Sequence, residues 1–192
     1  MNKVFSLVFF ITLLLFASCS DNESSATAAI TDSYPNVTAT FSSKIDLNNL
    51  SNYANQIIPP YITKDNTATN TITDKGATLG RVLFYDKNLS SNNTISCSSC
   101  HIQANAFGDV ATASEGINGT TTRHSMRLVN SRFSRENKFF WDERATTLEV
   151  QTTQPIQNHI EMGFSGTLGD VNLTALITKL QNIGYYKELF KY

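Results

Sequence analysis

Two cysteines three positions apart, with a histidine directly after the second, constrain this chain more than any other feature: Cys97-Ser98-Ser99-Cys100-His101. This is the pattern of a covalent haem c attachment site, in which the Cys97 and Cys100 thiols add to the two vinyl groups and His101 ligates the iron. Adjacency is what makes it work, because the thioethers hold the macrocycle against the backbone and present the next side chain to the metal at a high effective concentration. A thioredoxin-like dithiol needs a surrounding strand-helix-strand pattern, which is missing. A zinc site needs a second cysteine pair or paired histidines, and only His124 and His159 remain.

The third cysteine belongs to an export signal. Lys3 supplies a positive charge, Val4 to Ala17 is apolar apart from Ser6 and Thr12, and small residues lead into Cys19. Such a stretch is too short to span a membrane and reads as a secretory signal over residues 1–18. Its end resembles the lipobox of bacterial lipoproteins, with Phe16 where leucine is usual and Cys19 as the acylated residue. The expectation is an exported protein at the periplasmic face, held to the membrane by a lipid anchor only. Covalent haem attachment takes place in that same compartment in bacteria. The balance of 15 Lys+Arg against 16 Asp+Glu gives no bulk charge with which to hold nucleic acid.

From Ser20 to Lys75, 24 of 56 residues are Ser, Thr or Asn, with few large apolar side chains before Leu47. Residues 19–46 are therefore expected to be a flexible tether and 47–192 the haem domain. Leu79, Val82 and Leu83 recur at helical spacing, with Asp74 as a candidate N-cap. A second helix is expected from Asp142 to Thr153, ending before Pro155. A third runs from Asp170 to Ile183 on Leu173, Leu176, Ile177 and Leu180, capped by Asp170 or Asn172. No alternating run supports a sheet. The fold class read from these patterns is all-α, helical with long ordered loops.

Five stretches together resemble the N-terminal half of the bacterial di-haem cytochrome c peroxidases. They are Leu79-Gly80-Arg81-Val82-Leu83-Phe84-Tyr85-Asp86, Ile95 to His101, Ala106-Phe107-Gly108-Asp109, Phe140-Trp141-Asp142-Glu143-Arg144-Ala145, and Pro155-Ile156-Gln157-Asn158-His159-Ile160-Glu161-Met162-Gly163. The resemblance runs from about Asn52 to the C-terminus and implies a cytochrome c-like haem domain. It also implies reduction of hydrogen peroxide to water with electrons from a small c-type cytochrome or another periplasmic donor, and often a homodimer. By this resemblance Glu161 is the distal acid and base, Gln151 orients it or the peroxide, and Trp141 lies between two haems as an electron bridge. Chemistry supports the first role, since cleaving an oxygen-oxygen bond needs a group that both accepts and donates a proton. Read without the family, Trp141 beside Phe139 and Phe140 is core, and Asp142, Glu143 and Arg144 are a charged helix start without chemistry.

The chain departs from the family pattern in three places. Ile117 stands near the position of a second, displaceable histidine, so the haem is expected to be open, with His124 the nearest substitute ligand. Arg123-His124-Ser125-Met126-Arg127 lacks the asparagine that resembles a calcium ligand in relatives, which leaves a calcium site doubtful. No cysteine follows Cys100, whereas relatives carry a second haem half, so the domain is expected to be incomplete at its C-terminus. Two other readings stay open. One is a mono-haem c-type carrier whose iron is closed by Met126 or Met162; the other is the related di-haem oxygenase that matures methylamine dehydrogenase.

Overall fold

Burial of a few apolar side chains against two short helices at opposite ends of the chain organises the domain. The computed structural model describes residues 32–192; Cys19 and the export signal lie outside them. The element order is α1 (Pro35–Phe41), α2 (Asp74–Tyr85), α3 (Cys97–Cys100), the two-residue strands β1 (Glu115–Gly116) and β2 (Gly119–Thr120), then α4 (Leu148–Ile156), α5 (Leu173–Gln181) and α6 (Gly184–Leu189). The strands pair antiparallel, Glu115 opposite Thr120. The domain is thus helical with long loops, and among the described residues no helix is long and apolar enough to cross a membrane.

Local chemistry sets the helix ends. The Thr73 hydroxyl accepts from the Gly76 N–H and starts α2, one residue before the expected cap. Asp74 instead holds the preceding loop, its carboxylate accepting from the Tyr53 and Ala54 N–H groups at 2.6 and 2.8 Å. The Asn172 side chain accepts from Ala175 N–H and caps α5, as one of the two expected candidates. The helix expected from Asp142 begins only at Leu148, with Thr147 as its cap. Phe140 and Glu143 have positive φ, and Phe139 pairs with Ala145 across an antiparallel bridge, so 139–145 folds as a tight loop instead. Pro155 sits in the last turn of α4 rather than beyond it, where its missing N–H removes only one late helical bond.

The core comprises Val37, Ile45, Leu47, Val82, Leu89, Met162, Tyr186 and Leu189. Val37 and Ile45 correct the expected tether: residues 35–46 are part of the folded domain. Val37 is 1% exposed on α1, and the Glu188 carboxylate of α6 accepts from the Asn36 and Val37 N–H groups at 3.0 and 2.9 Å. A Ser/Thr/Asn-rich composition conceals this, because two well-placed apolar residues suffice to dock a short helix once a partner face exists. Val37→Ala is expected to lower stability by about 2 kcal/mol, measurable as a shift in urea midpoint, whereas a free tether would register nothing. On the other side, Asp86 accepts from the Tyr185 and Tyr186 hydroxyls at 2.6 and 2.7 Å, pinning α6 to the turn after α2. The core thereby sits directly beneath the loop that carries Met162, next to Glu161.

Candidate haem site

The short helix α3 presents the two thiols. Its first turn is closed by Ser96, whose N–H donates to the Ser99 hydroxyl at 3.0 Å, and residues three apart on that turn lie on one face. Cys97 and Cys100 are half-buried and not joined to each other. Burial pushes the Cys97 thiol up to about 11, and burial also raises Cys100, so both are neutral thiols at ordinary pH.

His101 follows where the chain leaves the helix, and its ring orientation is set by a main-chain acceptor. Its Nδ1 lies 2.8 Å from the Phe107 carbonyl oxygen. A carbonyl only accepts, so Nδ1 carries the proton and Nε2 keeps the lone pair a metal needs. The turn that supplies this carbonyl requires Ala106 and Phe107 in left-handed backbone geometry and is closed by the Ile102–Gly108 bridge. The Ser125 hydroxyl lies 3.1 Å from Nδ1, a second polar neighbour. Phe84 flanks the ring at 6.5 Å between centroids.

These residues line a cleft of about 730 Å³ together with Ile95, Ser114, Trp141, Gln151 and Glu161. Its size is in the range of cofactor pockets, and Phe84, Ile95, Leu128, Phe139 and Phe140 give it an apolar wall. Ser114 adds an orphan: its hydroxyl oxygen is buried and has no hydrogen-bond partner among the described residues. Two unpaired thiols, an imidazole with a directed lone pair, apolar walls and an unpartnered buried hydroxyl fit a covalently held haem.

Glu161 is half-buried, and burial raises its pKa above the usual carboxylate range, with Arg144 opposing. Its main chain is held from both sides. The Asn158 side chain accepts from the Ile160 and Glu161 N–H groups, and Ile117 N–H donates to the Glu161 carbonyl at 3.2 Å. Gly116 permits this approach, since a Cβ there would meet the Ile160 carbonyl oxygen at 2.0 Å. Gln151 reaches the cleft from α4. Trp141 is not core: it is 57% exposed on the rim, its indole N–H donating to the His124 carbonyl at 2.8 Å.

Arg144, read from sequence as part of a charged helix start, instead lines the cleft. It stacks on the Phe140 ring at 3.6 Å and bonds Gln154 and Asp142. Ser114, Ser125 and the Phe107 carbonyl also carried no sequence signal, because serines and backbone oxygens acquire meaning only from their neighbours. His124 lines the cleft too, with Nδ1 bound to the Ala111 carbonyl at 2.8 Å, which leaves the lone pair on Nε2. Ile117 packs its side chain toward Gly163 rather than presenting any ligating atom.

A family model described as di-haem cytochrome c peroxidase matches residues 74–192. The chain is 33% identical over 123 residues to the methylamine utilization protein MauG of Methylophilus methylotrophus, covering 64% of this chain and 34% of that protein. It is 35% identical over 92 residues to the cytochrome c551 peroxidase of Pseudomonas aeruginosa, covering 47% and 26%. Among solved structures it resembles a MauG-like protein associated with microbial copper homeostasis, with a TM-score of 0.62, 34% identity, and coverage of 71% of this chain and 39% of that one. The chain spans about a third of the length of the first of these relatives.

Proposed function

Because this chain belongs to the di-haem cytochrome c peroxidase family, we propose that its cleft is a peroxidatic site that reduces hydrogen peroxide to water. One observation carries this reading: Cys97, Cys100, His101 and a half-buried Glu161 share one cleft. Cys97 and Cys100 would hold one haem c as thioethers, and His101 would ligate its iron through Nε2. When bound, that group supplies the electrons that cleave the oxygen-oxygen bond, and relatives contain a second.

The remaining work falls to side chains. Glu161, as carboxylate, accepts a proton from one peroxide oxygen and returns it to the other, so that water rather than hydroxide departs. A raised pKa brings the residue toward the range in which it both takes and gives a proton at working pH. Gln151 orients the carboxylate or the peroxide from α4. Arg144 favours the charged form of Glu161 and keeps its pKa from rising further. Trp141 at the rim is the point through which electrons enter, from a small c-type cytochrome or another periplasmic donor. Ile117 has no ligating atom and would not compete with the substrate for the metal. Export and a lipid on Cys19 place this chemistry at the periplasmic face.

The carrier reading draws little from the methionines. Met162 touches the cleft but is 3% exposed and packed into the core, which leaves Met126, on the same lining, as the less constrained candidate ligand. Peroxide added to the haem-loaded protein separates the two. A change in the visible absorption bands within the mixing time supports the peroxidatic site, and an inert spectrum supports the carrier.

A further inference from the structure

Glu161 acts only if its carboxylate is held where the peroxide oxygens lie, and nothing in α4 or α5 holds it there. The segment 159–162 is gripped carbonyl by carbonyl. The Asn118 side-chain amide donates to the His159 carbonyl at 2.9 Å, Asn118 N–H to the Ile160 carbonyl at 3.2 Å, Ile117 N–H to the Glu161 carbonyl at 3.2 Å, and Ser91 N–H to the Met162 carbonyl at 2.9 Å. Three of the four donors belong to the loop of the β1–β2 hairpin. The hairpin lines the cleft with Glu115 and Gly116, and although its two strands are only two residues long, its loop is what meets segment 159–161.

Two further contacts restrict sliding. The His159 imidazole is tied at 3.0 Å to Asp170, whose carboxylate also accepts from Ser165. Gly163 adopts φ +73° in space that a Cβ would contest with Ile117, at 2.2 Å from its Cδ1. The segment is therefore held against the hairpin, and Asn118 supplies two of the main-chain bonds and a further contact from its amide to the His159 ring at 3.4 Å.

We propose that Asn118 is a positioning residue for Glu161: its side-chain amide, bonded to the His159 carbonyl, sets where the Glu161 carboxylate stands in the cleft. This rests on the peroxidatic reading above and adds a residue to it. Asn118 does not line the cleft and acts through residues 159–161, by their main chain and by the His159 ring 3.4 Å from its amide. Because it is exposed, its replacement leaves the core untouched.

The test compares haem-loaded Asn118→Ala, Asn118→Asp, Glu161→Gln and the double variant Asn118→Ala/Glu161→Gln. Three rates are read: peroxide reaction, cyanide association, which requires removal of a proton from HCN, and imidazole association, which requires none. Asn118→Ala is expected to slow peroxide and cyanide about tenfold, as small misplacement of a catalytic group does, and to leave imidazole association and the thermal midpoint as in the parent. Asn118→Asp, which keeps the size but loses the donor, should behave alike. In the Glu161→Gln background, Asn118→Ala should add nothing, since positioned and positioning groups act as one unit. Full additivity, equal slowing of imidazole, or parental rates in both Asn118 variants would overturn the proposal while leaving Glu161 in place. Parental rates in Glu161→Gln would overturn the reading of Glu161 and this proposal together.

Discussion

Replacing Glu161 with Gln is expected to slow the reaction of the haem-loaded protein with peroxide by about 100- to 10,000-fold, the range a lost general acid-base group costs. The amide matches the carboxylate in shape but neither accepts nor returns the proton. Covalent haem content should be unchanged, because Cys97, Cys100 and His101 lie on a different segment. The pH dependence has a definite sign. Burial raises the Glu161 pKa, so the reactive carboxylate is lost as pH falls through a value above that of an ordinary glutamate. The peroxide rate should therefore fall on the acid side earlier than an exposed carboxyl would dictate, and the Gln variant should lack that limb. Stability runs the other way: the folded state binds this proton more tightly than the unfolded chain, so the favourable contribution is present at low pH and lost as pH rises through the raised pKa. At neutral pH the neutral Gln is thus no less stable than the parent, and a rate loss cannot be ascribed to unfolding. Stopped-flow absorption across pH, with thermal melts on the same samples, checks both statements.

Changing Cys97 and Cys100 together to Ser is expected to abolish covalent haem. Serine matches the thiol in size but its hydroxyl does not form the thioether, and the bonds that close α3 come from Ser96 and Ser99 rather than from the sulfurs. Mass spectrometry of protein made in a strain competent for cytochrome assembly should show the haem increment in the parent, its retention through one thioether in single variants, and none in the double variant. His101→Ala should leave both attachment thiols but remove the axial ligand, so its spectrum should change without the pattern of the double variant. A covalent group surviving on the double variant would sink the assignment of the cleft.

Where sequence and structure parted, contacts that no local helix pattern records were the reason. Helices α2 and α5 appeared close to their expected positions, because an N-cap and an apolar stripe are written within a few residues. The helix expected at Asp142 failed because the bridge between Phe139 and Ala145, together with the stack of Arg144 on Phe140, outweighs local propensity. Residues 35–46 were misread as tether because their composition says nothing of α6, more than 140 residues later, whose Glu188 caps α1. Read without the family, Trp141 belongs in the core with its aromatic neighbours, and its indole instead seeks an acceptor at the rim.

By itself, the order of residues points to the attachment chemistry proposed here: a Cys-x-x-Cys-His run needs only one helical turn and its next residue, so the pattern is legible without the fold. The tertiary structure alone decided which nitrogen of His101 meets the Phe107 carbonyl, that Arg144 and Glu161 share the cleft, and that Ile117 and Asn118 of the hairpin hold the carbonyls of residues 159–161. Those facts depend on which carbonyls and charges meet across the chain, and such meetings are settled by the packing of the core.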